Sequence, residues 1–83
     1  MKLTVEKNKS AFKHGVAAED IDWVVDHFLY DAPMPDYDGK YLAIGFDTSG
    51  RLLEIMYNVI DANTIGVFHA MRCRKAFYNL VDY

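Results

Sequence analysis

A small set of basic and titratable side chains suits chemistry at an anionic group such as a phosphate. Histidine titrates near neutral pH and can take or give a proton, arginine clamps a phosphate through its planar fork, and lysine supplies a point charge. These residues lie towards the two ends of the chain, so they predict one site only if the fold brings the ends together. The set consists of Lys9, Lys13, His14, His69, Arg72 and Arg74, with Tyr78 as a further candidate.

Other kinds of site find little support in the sequence. It contains no Ser-His-Asp set, no zinc signature and no glycine-rich phosphate loop. The acidic stretch Tyr30–Gly39 suggests a metal loop, but its spacing matches no calcium pattern, so a solvated connection is the simpler interpretation. Cys73 is expected in the core rather than as a nucleophile, and a satisfied structural histidine is the simpler interpretation of His69. We therefore predict no metal and no cofactor.

Charge is distributed unevenly along the chain. Residues 1–14, which include Lys2, carry a net +3, residues 72–83 carry +2, and residues 15–71 carry −8, which together give the overall −3. A negative protein is not an obvious nucleic-acid binder, because its overall field repels phosphates. The two basic ends would form a local positive patch if they met in the fold; otherwise they are solvated lysines that keep the protein soluble.

Three apolar runs organise the fold. Tyr41–Phe46, Leu52–Ile60 and Thr64–Ala70 are short, rich in β-branched and aromatic residues, and separated by the turn-forming breaks Asp47–Gly50 and Asp61–Asn63. Strands joined by such short connections must run antiparallel, which predicts a meander. Leu3–Val5 and Asp31–Met34 are candidates for short edge strands.

Two helices are predicted beside this sheet. Ala18–Leu29 carries an apolar stripe with Phe28 near its end, and Arg72–Val81 carries a second stripe that includes Phe77. We expect both to pack on the face formed by Leu42, Ile44 and Phe46, which leaves the other face partly open as a binding surface. One or two helical turns before Gly15 complete an N-terminal helical pair.

The predicted fold class is therefore α+β: an antiparallel meander of three to four strands, packed by an N-terminal helical pair and a C-terminal helix. Eighty-three residues predict a single domain over residues 1–83. No apolar run is long enough for a membrane span, and the single cysteine favours a reducing, cytoplasmic location. Apolar residues on both strand faces favour self-association, with a dimer as the simplest case.

Several segments, taken in order, resemble the BrnT family of bacterial toxins, which belongs to the RelE-like ribonuclease superfamily. The resemblance spans roughly residues 3–80. Its main elements are the acidic helix that follows His14-Gly15-Val16 and the junction between a strand and a basic helix. The segments are Glu6–Lys9, Lys13–Val16, Tyr41–Gly45, Ser49–Leu53 and His69–Arg72.

This resemblance implies a ribonuclease toxin of a type II toxin–antitoxin system, which cleaves RNA to arrest translation. It also implies a small antitoxin that neutralises the toxin, and contact with DNA only through the antitoxin complex. His14, Arg72 and His69 are the predicted catalytic residues, and Arg72 is expected to share one phosphate with Lys9, Lys13 and His14. The predicted RNA-binding residues are Lys9, Lys13, Arg74 and Lys75.

A second class of function stays open. A catalytically silent relative would keep the fold and act as a protein-interaction domain. The overall charge of −3 favours this alternative, because bulk electrostatics then oppose RNA binding. The order of the motifs favours the ribonuclease.

Overall fold

Five strands form one mixed sheet at the centre of the computed structural model, which describes residues 3–83; Lys2 lies outside the described residues. Two 3-10 helices and one α-helix surround the sheet. The elements in chain order are β1 (Thr4–Lys7), an N-terminal 3-10 helix (Lys9–Phe12), α1 (Ala18–Asp26), β2 (Tyr30–Pro33), β3 (Lys40–Phe46), β4 (Leu52–Asp61), β5 (Thr64–Arg72) and a C-terminal 3-10 helix (Lys75–Val81).

The sheet is larger than predicted, and it is not purely antiparallel. Its strand order is β1-β5-β4-β3-β2, with β1 parallel to β5 and every other pair antiparallel. The prediction of three to four antiparallel strands is therefore wrong, although the α+β class is correct. The physical reason is that the N-terminal 3-10 helix and α1 carry the chain from one sheet edge to the other before the meander begins. β1 can therefore pair with β5 in parallel, and β2 closes the far edge.

Each face of the sheet carries its own apolar layer. On one face, α1 places Ile21 and Val24 against a buried cluster that includes Ala43, Leu53 and Ile55. On the opposite face, the C-terminal 3-10 helix contributes partly buried side chains to a second cluster. That cluster contains Leu42, Ile44, Leu52 and Cys73, with Phe46, Phe77 and Val81 packed against it.

The predicted arrangement of both helices on the Leu42/Ile44/Phe46 face is therefore wrong for α1. Ala43 and Gly45 lie on the face that was expected to be partly open, and the small size of Gly45 allows the end of α1 to approach the strand. A Cβ atom added at Gly45 would lie 3.1 Å from the Cα of Phe28 and 3.3 Å from the carbonyl oxygen of His27. The helix end therefore lies directly on β3.

α1 is shorter than predicted because it ends at Asp26. Phe28 follows the helix and is 47% exposed, so it is not the core residue that the apolar stripe indicated. Trp23 stacks on His27, with ring centroids 3.8 Å apart and an interplanar angle of 17°. This pair lies on the outside of α1.

The C-terminal helix also begins later than predicted. Arg72 still belongs to β5, where it pairs with Leu53, and the amide of Cys73 donates a hydrogen bond to the carbonyl of Leu52. Helical geometry begins only at Lys75 and is of the 3-10 type. Among residues 3–83, no helix is long and apolar enough to cross a membrane.

Candidate active site

A β-bulge in β5 decides which face carries His69. Tyr57 of β4 pairs with Val67, whereas the preceding Met56 pairs with His69, so Phe68 is one extra residue in β5. In a regular strand His69 would share a face with Val67, in the layer beneath α1. The bulge instead directs His69 to the opposite face, where Glu54 lies two residues before Met56.

Glu54 is the buried centre of a hydrogen-bonded cluster. Its side chain is fully buried, and its Oε2 atom lies 2.9 Å from Nε2 of His69 and 2.6 Å from Nη2 of Arg74. Its Oε1 atom accepts hydrogen bonds from the backbone amide of Arg74 at 2.9 Å and from Nε of Arg74 at 3.1 Å. One carboxylate therefore fixes the orientation of both a histidine and an arginine.

The cluster keeps this buried carboxyl group ionised. Burial alone raises the pKa of Glu54, but the hydrogen bonds from the Arg74 side chain and backbone, the bond from His69 and the charge of Arg74 together lower it below its ordinary value. Glu54 in turn raises the pKa of the Arg74 guanidinium. Since an ionised carboxylate only accepts hydrogen bonds, Nε2 of His69 carries the proton that points to Glu54.

His14 completes the cluster from the N-terminal side. Its ring lies edge-on to the ring of His69, with centroids 5.6 Å apart. The N-terminal 3-10 helix places it there, because the amide of Asn8 donates to the carbonyl of Val67 and the Ser10 hydroxyl donates to the carbonyl of Phe68 at 2.6 Å. The backbone of β5 at the bulge thus anchors the N-terminal 3-10 helix, and His14 lies two residues after the end of that helix.

The tight turn after this helix needs Gly15. Its φ is +80°, a left-handed conformation that favours glycine, and its amide donates to the carbonyl of Phe12. His14 itself is exposed. The expected turn at Gly15 is therefore present, and it leaves the imidazole of His14 accessible beside His69.

Of the predicted site residues, the structure brings together His14, His69 and Arg74. Arg74 stands immediately before the C-terminal 3-10 helix, with its guanidinium carbon 5.3 Å from the ring centre of Phe77. About half of the Arg74 side chain is exposed, compared with 21% of the His69 side chain. Both side chains can therefore meet a ligand from solvent.

Arg72 occupies a different position. It pairs with Leu53, whose side chain belongs to the layer beneath α1, so strand alternation directs Arg72 away from the face of His69. Lys9, Lys13 and Lys75 are all exposed; Lys9 begins the N-terminal 3-10 helix, Lys13 follows it, and Lys75 begins the C-terminal 3-10 helix. The binding of one phosphate by both Arg72 and His14 stays a prediction.

Sequence reasoning missed Glu54 as a member of the site. The available signal was an acidic residue inside the apolar run Leu52–Ile60, on the face that it shares with Leu52 and Met56. A charge in such a run must be paired if it is buried. The sequence does not indicate its partners, because His69 and Arg74 lie 15 and 20 residues away.

The structure also bears on nucleophilic catalysis by Cys73 and on metal binding. Cys73 is buried, and burial followed by the nearby charge of Glu54 raises the pKa of its thiol, which disfavours the nucleophilic thiolate. Within residues 3–83, no group of three or more His, Cys, Asp or Glu side chains is arranged to hold a metal ion. The cluster of Glu54, His69, Arg74 and His14 is the arrangement most suited to proton transfer.

The fold is similar to that of a solved toxin. The crystal structure of the Brucella abortus ribonuclease toxin BrnT matches with a TM-score of 0.65 and 14% sequence identity, over 89% of this chain and 100% of the toxin chain. Neither a protein-family model nor a curated protein sequence matches the chain. The resemblance to BrnT is thus confirmed at the level of the fold.

Proposed function

We propose that this protein is a ribonuclease toxin of a type II toxin–antitoxin system, which cleaves RNA and so arrests translation. Two independent observations support this function. The fold is similar to that of a ribonuclease toxin along almost the whole chain, and a titratable cluster lies at the end of β5. The contact between His14 and His69, with His69 held by buried Glu54, carries the proposal.

The cluster contains the groups that cleavage of RNA requires. His69 donates from Nε2 to Glu54, which leaves Nδ1 to accept the proton of the ribose 2′-hydroxyl. The 2′-oxygen then attacks the phosphorus, and the bond from phosphorus to the 5′-oxygen breaks. His14, in its protonated form, gives a proton to the departing 5′-oxygen. The products are a 2′,3′-cyclic phosphate and a free 5′-hydroxyl.

Arg74 is placed to stabilise the charge that develops on the phosphorane. Glu54 engages its Nε and Nη2 atoms, so Nη1 faces away from the carboxylate and can donate to a phosphate oxygen. A guanidinium fixed in advance costs little reorganisation when the charge develops. In this mechanism Glu54 is a positioning residue, and His14, His69 and Arg74 contact the substrate.

The charge distribution is compatible with RNA binding despite the net charge of −3. The N-terminal 3-10 helix, which begins at Lys9 and is followed by Lys13, packs against β5, and the C-terminal 3-10 helix begins with Lys75 soon after β5 ends. Lys9, Lys13 and Lys75 would then hold the RNA backbone as point charges. Binding that depends on so few cations should weaken steeply with salt.

Three histidines allow a matched test of the catalytic cluster. We expect His14→Ala and His69→Ala to lower the rate of RNA cleavage by the purified protein by about 10²- to 10⁴-fold. His27→Ala should leave the rate unchanged, because His27 stacks on Trp23 on the outside of α1. Urea unfolding of all three variants separates lost chemistry from lost folding. A folded wild-type protein that leaves RNA intact, or equal losses in all three variants, would contradict the ribonuclease.

One observation favours the alternative, a catalytically silent interaction domain. The charge of Arg74 is compensated by Glu54 through a bidentate ion pair, so part of the cluster serves to fix the start of the C-terminal helix. In a silent domain, Arg74→Ala would lower the free energy of unfolding, and neither the wild-type protein nor the variant would cleave RNA. The cleavage assay and the unfolding assay together distinguish the two classes.

The proposed function implies a protein partner and a cellular location. A small antitoxin would neutralise the protein in the cytoplasm, and DNA would be contacted only by the antitoxin in the complex. Self-association stays a prediction, tested by sedimentation at micromolar concentration. A gene for a small ribbon-helix-helix protein next to the gene for this chain would support the toxin.

A further inference from the structure

A small cavity lies next to the catalytic cluster, on the same face of the sheet. Its volume is about 140 Å³, and its lining consists of Met34, Tyr37, Lys40, Met56 and Phe68. Two of these residues adjoin His69 directly, since Phe68 precedes it in the chain and Met56 is its partner on β4. A ligand in the cavity would therefore lie beside His69.

The lining combines flat aromatic surface with a single cation. The Lys40 ammonium lies 5.2 Å from the centre of the Phe68 ring and 5.4 Å from the centre of the Tyr37 ring, so it bridges the two rings. Such contacts are weak at exposed sites. A planar ligand can therefore displace the ammonium from the ring faces, and the flexible lysine stem lets the charge move to the edge of the ligand.

We propose that this cavity, the base pocket, holds the base of the nucleotide next to the cleaved phosphodiester, and that it selects guanine. The inference rests on the proposed ribonuclease function and adds a substrate preference to it. The aromatic and methionine walls suit the face of a base, since stacking is the main way proteins hold unpaired bases. A phosphate would find one cation and a largely apolar wall, so the base is the better occupant.

Lys40 gives the pocket its selectivity. An ammonium group has three donors and no acceptor. Guanine presents two neighbouring acceptors, O6 and N7, on one edge, whereas adenine presents N7 beside an amino group that is itself a donor. The Lys40 ammonium can thus donate hydrogen bonds to both O6 and N7 of guanine. In adenine it would meet the amino group, which is a second donor and cannot accept a hydrogen bond.

The bulge links this pocket to the chemistry. It places Phe68 and His69 side by side at the point where β5 carries its extra residue. A base stacked on Phe68 would fix its own ribose near the imidazole of His69. We therefore expect base binding and cleavage to be coupled through adjacent residues of one strand.

The test is binding of short oligonucleotides that cannot be cleaved. Four trinucleotides with 2′-deoxyribose at the cleavage position, differing only in the base before it, are titrated into the full-length protein by calorimetry. We expect the wild-type protein to bind the guanine oligonucleotide about tenfold more tightly than the adenine one. Lys40→Ala should reduce this ratio to about one, Lys40→Arg should retain it, and Phe68→Ala should weaken binding of all four.

A matched control removes a cation elsewhere. Arg51 follows the β3–β4 turn, at the opposite end of this strand pair from Lys40. Arg51→Ala should leave the preference for guanine unchanged, although it alters the net charge as much as Lys40→Ala does.

The outcomes separate the pocket from the ribonuclease. Cleavage of natural RNA with no base preference in the wild-type protein would overturn the pocket and leave the ribonuclease intact. A guanine preference in binding, without cleavage, would support the pocket and overturn the ribonuclease. If Phe68→Ala changes the sedimentation of the protein and leaves oligonucleotide binding unaltered, the cavity is a contact between two copies of the chain and the base pocket is overturned.

Discussion

Glu54 and Arg74, twenty residues apart in the chain, are joined by a bidentate ion pair whose shortest contact is 2.6 Å between Oε2 and Nη2. The same carboxylate holds His69, so one fully buried group orients two side chains that reach solvent. A buried charge is stable only when it is paired and its remaining lone pairs accept hydrogen bonds. Glu54 meets both conditions.

Replacing Glu54 with glutamine should separate orientation from chemistry. Glutamine retains the size of the side chain but loses the charge that binds Arg74 and fixes the proton of His69 on Nε2. We expect Glu54→Gln to reduce kcat by about 10- to 100-fold, as for other partners that orient an active group, with little change in KM. Steady-state cleavage assays measure both constants. A loss confined to KM would show that Glu54 acts on binding alone.

The stability of the protein should depend on the ionisation of Glu54 in acid. Its pKa in the folded protein lies below the ordinary value of 4.5, so its contribution to stability is present above about pH 4.5 and is lost as pH falls through the lowered folded pKa. Urea midpoints measured from pH 7 down to pH 3 should fall more steeply for the wild-type protein than for Glu54→Gln. Parallel curves for the two proteins would contradict this linkage.

The two candidate phosphate-binding arginines can be compared directly. Arg74 faces the cluster, whereas Arg72 projects towards the opposite face of the sheet. We expect Arg74→Ala to lower cleavage by about 10²-fold or more and Arg72→Ala to have the smaller effect. Arg74→Lys distinguishes charge from geometry, since lysine cannot replace the planar fork. A larger loss with Arg72→Ala would support the convergence of Arg72 and His14 expected from the sequence.

Two residues of the α1 region should differ sharply in their effect on stability. Ile21 is fully buried, so Ile21→Ala should cost about 2–5 kcal/mol. Phe28→Ala should cost about 1 kcal/mol or less, because nearly half of Phe28 is exposed. Urea unfolding measures both. A large loss for Phe28→Ala would mean that this side chain is buried in solution, for example by a second copy of the chain.

Gly45→Ala should loosen the contact between α1 and β3. The added Cβ would lie within 3.1–3.3 Å of the backbone of Phe28 and His27 and of a Val24 methyl group. Backbone atoms cannot turn aside as a flexible side chain does, so we expect a loss of about 1–3 kcal/mol. Amide hydrogen exchange should show faster opening of α1 than of β4 and β5. Unchanged stability would show that the helix can shift without cost.

The sequence predicts the central meander well because its signals are local. The runs that become β3, β4 and β5 are bounded by turn residues, and the short breaks leave only antiparallel pairing between neighbours. β1 and β2 were recognised only as candidate edge strands, since four residues carry too little periodicity to fix a partner. The parallel pairing of β1 with β5 is set by tertiary packing.

The candidate site was only partly predictable for the same reason. His14, His69 and Arg74 are identifiable by residue type, but regular alternation would place His69 beside Ile65 and Val67 in the core layer. The bulge at Phe68 reverses that assignment, and the local sequence signal for it is Gly66, an isolated glycine in the strand two residues earlier. Glu54 was visible as an acid in an apolar run, whereas its role depends on contacts across two neighbouring elements.

The extra residue in β5 also bears on how this fold can vary. Without Phe68, His69 would directly follow Val67 and would still stand opposite Met56, so the contact with Glu54 would survive loss of a single codon. That deletion would remove one wall of the base pocket. The deletion would also remove the carbonyl oxygen that accepts the Ser10 hydroxyl, so a change of length at this position alters both base recognition and the placement of His14, while His69 stays beside Glu54.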